Sequence, residues 1–362
     1  MNCAERSLLA KIEKAPQSQP YGVIMALSST TRRAVLVGGF AVIATPAAAG
    51  LIIPASVTDS ELRGLSPTGG KTWWASGSKG WIIRGRGAQQ DALRIVGAEA
   101  LDFRGLHAFH DQHVLAMSAG PGEASQLWRT RDGGQSWARI AANQDPEGFW
   151  DSLTFVDDKR GYILGDPTQG RFTVLFTDDA GETWTRLDPK GVPLAAPNEG
   201  AFAASNGCVA IGPRGQVAFC TGGAGKARVY LSRGGGAFVA LETPILADAP
   251  SKGAFAVTFA GDGTLWVCGG DYRSPQGEGV NLARRPPGST RFEPVAAPPG
   301  YLSGISARGG TVMATGLAGT IVSRDGGAFE RVSAAPMNSV RLTSEKAAML
   351  CGPKGAIGLW NG

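Results

Sequence analysis

An eight-residue segment, Thr130-Arg131-Asp132-Gly133-Gly134-Gln135-Ser136-Trp137, returns 47 residues later as Thr177-Asp178-Asp179-Ala180-Gly181-Glu182-Thr183-Trp184. The shared pattern is Ser/Thr-x-Asp-x-Gly-x-Ser/Thr-Trp. Two worn copies follow, Ser323-Arg324-Asp325-Gly326-Gly327-Ala328-Phe329 and Ser232-Arg233-Gly234-Gly235-Gly236-Ala237-Phe238, the second without its acid. Each residue type suits a hairpin corner. Asp accepts hydrogen bonds from its own turn, and Gly reaches positive φ without a Cβ clash. The hydroxyl supplies a second local partner, and the aromatic residue buries a large apolar surface against the neighbouring unit.

Measured with this ruler, the chain divides into six to seven units of 36–55 residues: about 60–97, 100–142, 148–190, 199–245, 252–297, 300–335 and a short last one, Ser339–Trp360. Arg63-Gly64-Leu65 and Arg104-Gly105-Leu106, 41 residues apart, mark the same period independently. Four short apolar runs per unit predict an all-β chain: a seven-bladed β-propeller of four-stranded antiparallel blades, with six or eight as the neighbouring counts. The last unit lacks a strand. Leu51-Ile52-Ile53 is the expected donor, so an N-terminal strand closes the ring. The 53 glycines among 362 residues carry no collagen-like period and fit many tight turns.

The N-terminus reads separately. Residues 1–24 fit neither a signal nor a fold, and Met25 is the expected true start. Arg32-Arg33, the apolar run Ala34–Ala44 and the ending Ala47-Ala48-Ala49 make 25–49 a twin-arginine export signal. Residues 50–362 are then one exported, periplasmic domain, a monomer that meets the membrane only through an uncleaved signal. Five of the 35 basic residues and two of the 30 acidic ones precede residue 50, leaving 30 against 28. The formal charge of +5 is therefore no argument for a nucleic-acid partner. Cys208, Cys220, Cys268 and Cys351 remain after the leader. Cys208 and Cys220 flank a turn, which leaves a disulfide open beside the preferred reading of buried thiols.

The repeat resembles the Asp-box, or BNR repeat, of sialidase-type β-propellers. The Arg-Gly-Leu strand starts, Trp74-Ala75-Ser76-Gly77, and the Leu164-Gly165-Asp166 and Gly269-Gly270-Asp271-Tyr272 turns are similar to exported propellers related to the photosystem II stability/assembly factor. That resemblance implies a binding or assembly module. It also implies that Asp132, Trp137, Asp179, Trp184 and Asp325 are structural, on the face opposite the ligand site. The ligand face then holds Arg63, Arg104, Asp151, Glu199 and Tyr301 at strand starts, and Asp166, Asp271, Tyr272 and Arg273 at turns.

Such a ring carries both charges around a central pocket, suited to a protein partner or a small or carbohydrate ligand. Its arginines suit a carboxylate or phosphate, and its acids would suit a glycoside hydrolase or lyase needing two carboxyl groups. No residue is assigned to catalysis, because the Arg-Ile-Pro element of sialidases is missing. The preferred expectation is a non-catalytic module; the alternative is a sialidase-like hydrolase. No metal site is expected: His107, His110 and His113 stand three apart, and a strand sends such positions to alternate faces. No cofactor is expected either. Gly222-Gly223-Ala224-Gly225-Lys226 lacks the spacing of a phosphate loop, and no dinucleotide or haem motif occurs.

Overall fold

The computed structural model describes residues 50–70, 72–232 and 236–362. The leader readings, and the Arg233–Gly235 part of the acid-free repeat, lie outside them. Seven four-stranded antiparallel sheets follow one another around a closed ring. Blade 1 comprises Leu62–Pro67, Thr72–Gly77, Trp81–Arg86 and Gln89–Arg94; blade 2, Phe103–Ala108, Val114–Ser118, Gln126–Thr130 and Ala138–Ala142. Blade 3 comprises Trp150–Phe155, Gly161–Thr168, Arg171–Thr177 and Thr185–Arg186; blade 4, Val209–Ile211, Val217–Cys220, Gly225–Ser232 and Phe238–Ala247. Blade 5 comprises Lys252–Phe259, Leu265–Asp271, Leu282–Arg285 and Glu293–Pro294; blade 6, Gly304–Arg308, Thr311–Gly316, Gly319–Ser323 and Glu330–Ser333.

Blade 7 supplies three strands, Ser339–Ser344, Ala347–Cys351 and Ile357–Asn361, and its outermost strand is Gly50–Ile52. Leu51 pairs opposite Trp360. The ring is thus fastened by a strand from the other end of the chain, as the missing strand of the last unit required. Closure leaves no inner sheet edge to pair with a stranger.

Second strands are sandwiched between blades, and this explains their composition. Thr72–Gly77, Val114–Ser118 and Thr311–Gly316 are buried at every position. A strand covered on both faces reads as a continuous apolar run rather than an alternating one. Cys208, Cys220, Cys268 and Cys351 belong to this interior as buried free thiols. The Cys220 amide donates to the Cys208 carbonyl at 2.9 Å.

The repeated acids close their own turns. Thr130 Oγ1 and the Ser136 amide both donate to Asp132 Oδ1, at 2.8 and 2.9 Å, and Ser136 Oγ donates to Oδ2. Asp179 makes the same set with Thr177 and Thr183. In the worn copy Phe329 replaces the second hydroxyl residue, and Asp325 instead accepts from the Gly327 amide at 2.9 Å. Each turn also meets the preceding blade. The Arg84 guanidinium lies over Trp74 and donates to the Gly133 carbonyl at 3.2 Å. Arg284 lies over Trp266 and donates to the Gly326 carbonyl at 3.1 Å. Trp137 meets Trp74 edge-on, with ring centroids 6.4 Å apart. Such aromatic pairs add about 1 kcal/mol beyond their burial.

Candidate functional site

Six of the seven inner strands share one pattern, apolar, variable, small, apolar, polar; the blade 4 strand departs from it at Asn206 and Ala210. Aligned on the second apolar residue (Leu65, Leu106, Leu153, Val209, Val257, Ile305, Val340), they place two rings of side chains along the central channel. The upper ring, at the strand starts, is Arg63, Arg104, Asp151, Gly207, Phe255, Ser303 and Asn338. The lower ring, three residues further on, is Ser66, His107, Thr154, Ala210, Thr258, Ser306 and Arg341. The small residue between them lets the strands converge. A Cβ on Gly64 would come within 2.2 Å of Ser76 Oγ and 2.9 Å of Leu106 Cβ.

The upper end of the channel is filled from within. The segment leading into blade 4, Ala203-Ala204-Ser205-Asn206-Gly207, is buried and bonds to every other blade. Arg63 Nη1 donates to the Ala204 carbonyl at 2.9 Å, and Arg104 Nη1 to the Ala203 carbonyl at 3.5 Å. Asn206 Nδ2 donates to the Leu106 carbonyl at 3.1 Å, while Asn206 Oδ1 accepts from the Leu153 amide at 2.8 Å and Ser152 Oγ at 3.2 Å. The Val257 amide donates to the Gly207 carbonyl at 2.9 Å. Ser205 Oγ donates to the Ser303 carbonyl at 2.5 Å, and Ser339 Oγ to the Ser205 carbonyl at 3.0 Å. Arg341 Nη2 donates to the Asn206 carbonyl at 3.2 Å.

The expected site residues fall into two sets around this hub. Arg63 and Arg104 hold its carbonyls, each braced by an acid two residues earlier: Arg104 to Asp102 at 2.8 Å, Arg63 to Glu61 at 3.5 Å. Burial and the Arg104 charge lower the Arg63 pKa, against the opposing pull of Glu61 and Asp102. Asp151 is buried on the inner strand of blade 3. Asp166, near the end of the adjoining strand, accepts from the Ala201 amide at 2.9 Å. Both acids act on the Cys208 thiol, whose pKa rises through burial first and their charges after it.

Glu199 lies off the channel, buried in blade 4, where Arg228, Thr221 Oγ1, Tyr230 Oη and the Ala196 amide all bond to its carboxylate. Burial alone would raise its pKa, but Arg228, Thr221 and the amide together hold it below the usual range. Tyr301 is buried too, its ring 4.8 Å from Phe255 and perpendicular to it, and burial pushes its phenol up.

The second set is accessible. Asp271 and Tyr272 are half-buried and Arg273 is exposed, at the end of the second strand of blade 5. Asp271 Oδ1 caps the Arg273 amide at 2.9 Å. Tyr272 leans edge-on toward Phe255, which stacks on Phe202 at 4.0 Å. An aromatic patch of Phe202, Phe255, Tyr272 and Tyr301 thus joins the hub to this charged turn.

Sequence reasoning passed over the hub and its braces. The braces had a signal: Glu61-Leu62-Arg63-Gly64-Leu65 and Asp102-Phe103-Arg104-Gly105-Leu106 repeat the acid along with the arginine. The hub had a weaker one. Leu153 and Val209 are 56 residues apart, against 41 for Leu65 and Leu106, so blade 4 carries spare chain before its inner strand.

Beneath the hub lies a cavity of about 350 Å³. All seven residues of the lower ring line it, with Asn206 and Gly207 at its inner end. Inner strands and third strands run the same way, so the cavity sits toward the face of the repeated Asp turns.

Against known proteins, no family model matches the chain and no curated protein matches its sequence. Solved structures do. YCF48 bound to a D1 peptide superposes with a TM-score of 0.62 at 15% identity, over 86% of this chain and 97% of that one. The fold is similar to that of YCF48. The protein of that name from Cyanidioschyzon merolae gives a TM-score of 0.62 at 14% identity, over 86% and 99%. The GH74 enzyme of Niastella koreensis gives 0.61 at 11% identity over 84% of this chain, which spans 53% of that enzyme's length. All three share the propeller with this chain, as the photosystem II assembly-factor resemblance implied.

Proposed function

We propose that the chain is a non-catalytic binding module that takes a polypeptide partner on the turn Asp271-Tyr272-Arg273 and the aromatic patch behind it. One observation carries this reading. The upper-face arginines and Glu199 are engaged in holding the hub and blade 4, whereas this charged aromatic turn stays open to solvent. Tyr beside Arg, next to a buried aromatic floor, is the composition from which interface anchors are made. A propeller of similar fold has been solved with a peptide bound, which supports a peptide-like occupant. We also place the protein outside the cytoplasm on the strength of the 25–49 leader; cell fractionation with an antibody to the chain tests that part.

The test of the site is capture by crosslinking in the producing cells. The triple variant Asp271→Arg, Tyr272→Ala, Arg273→Glu should lose the crosslinked partner while melting at the wild-type temperature. Unchanged capture sinks the assignment. The rival reading, glycoside hydrolysis, draws on the GH74 likeness and on Asp151 and Asp166 sharing the Cys208 neighbourhood. Turnover of aryl-glycosides that disappears in Asp166→Asn would put it first.

A further inference from the structure

The lower ring has an unusual charge balance. One residue from each blade faces a cavity of about 350 Å³, within the usual range of small-molecule pockets, roughly 300–1,000 Å³. Four are hydroxyls (Ser66, Thr154, Thr258, Ser306), one is alanine, one is His107 and one is Arg341. No carboxylate stands in the ring. Burial lowers the Arg341 pKa, with the Cys351 thiol acting in the opposite sense, and no acid among the described residues pairs with it. His107 is neutral at pH 7, because burial and then His113 hold its pKa down to about 4.

The donors are also unsaturated. Arg341 spends Nη1 on the Val340 carbonyl at 2.8 Å and Ser339 Oγ at 3.5 Å, and one Nη2 hydrogen on the Asn206 carbonyl. Of its five N–H groups, two remain for a ligand, on Nε and Nη2. Ser66 and Ser306 each accept a backbone amide, from Ala108 and Leu342 at 3.0 Å, which leaves each hydroxyl hydrogen to donate. A guanidinium without a counter-ion, ringed by hydroxyl donors in a closed-ended cavity, matches an oxyanion and repels a cation.

We infer that the cavity beneath the hub is a binding site for the carboxylate of a small organic acid, with Arg341 as its anchor and Ser66 and Ser306 as flanking donors. It is separate from the partner surface proposed above, on the opposite face, and stands or falls without it. Calorimetric titration of the purified full chain at low ionic strength tests it, with succinate in one arm and inorganic phosphate in the other.

Succinate should bind the wild type, and Arg341→Gln should weaken it by at least about tenfold. Because Arg341 also steadies Asn206, a second variant guards against simple unfolding. Ala210→Glu leaves every Arg341 hydrogen bond in place but sets a carboxylate on the same ring, and it should abolish binding without lowering the melting temperature. No succinate binding up to about 10 mM, a range covering weak sites, overturns the proposal. So does undiminished binding in Ala210→Glu. Binding of phosphate in place of succinate overturns the carboxylate assignment.

Discussion

The two ends of the central channel are made by the same seven strands, three residues apart, yet they have opposite polar economies. At the upper end, Arg63, Arg104 and Asn206 serve backbone carbonyls and amides across the ring. At the lower end, hydroxyls and Arg341 face a cavity with donors to spare. A polar group bonded to structure carries stability, because removing it strands a buried partner. A polar group facing a cavity carries specificity, and its loss costs the fold little. Charge in a pattern therefore does not identify a site; what the charge is already bonded to does.

The largest effect should come from breaking the upper end. Asn206→Ala removes the partners of the Leu153 amide and the Leu106 carbonyl, both buried, and keeps a left-handed backbone (φ 55°) that alanine tolerates less well. Equilibrium urea unfolding should show a loss of about 3 kcal/mol. The matching change at the lower end, Thr258→Val, which removes a hydroxyl lining the cavity, should stay within about 1 kcal/mol of wild type. Equal losses at the two ends would erase the distinction drawn between them.

An effect of at most the size expected for Asn206→Ala separates the ends by pH. His107 stacks on Phe155 at 4.5 Å in the lower ring, and its pKa sits at about 4 against an ordinary 6.5. Between those values the unfolded chain binds a proton that the folded chain refuses. Stability therefore falls as pH drops from about 6.5 to about 4, and His107 adds no further slope outside that window. The full shift corresponds to about 3 kcal/mol. His107→Phe keeps the stacking surface and should flatten the stability–pH curve across that window. A wild-type slope that persists in the variant would locate the acid sensitivity elsewhere.

How much of this was legible in the sequence follows from the same contrast. The blades were readable because Gly and aromatic residues at hairpin corners obey local rules, and the missing strand of Ser339–Trp360 demanded a donor, found in Gly50–Ile52. The hub was not readable, since Ala201–Ile211 looks like one long inner strand. Only Val209–Ile211 forms it, and the direction of the rest is set by partners on six other blades. Arg341 was invisible for a related reason. It is one cation among many until the inner strands are aligned, and then it stands alone opposite Ser66, Thr154, Thr258 and Ser306.

The smallest expected effect concerns the repeated acids, which lie on the same face as the open end and yet behave like the sealed one. Asp132 and Asp179 have pKa values of about 2, held down first by the side-chain bond from Ser136 or Thr183, then by the amide of the same residue. Asp325, with Phe329 in place of that hydroxyl residue, relies first on the Gly327 amide. Each turn receives an arginine from the preceding blade, Arg84 and Arg284 at the Gly133 and Gly326 carbonyls and Arg129 at the Glu182 carboxylate, so its shape matters beyond its own hairpin. Asp132→Asn should therefore lower the melting temperature at pH 7 more than Asp325→Asn does. Because these pKa values lie below the ordinary carboxylate range, the difference between the two variants should shrink as pH falls from about 4 toward 2, where the wild-type carboxylates protonate. A difference of the same size at both ends of that range would mean that Asp132 works through its shape alone, with no contribution from its charge.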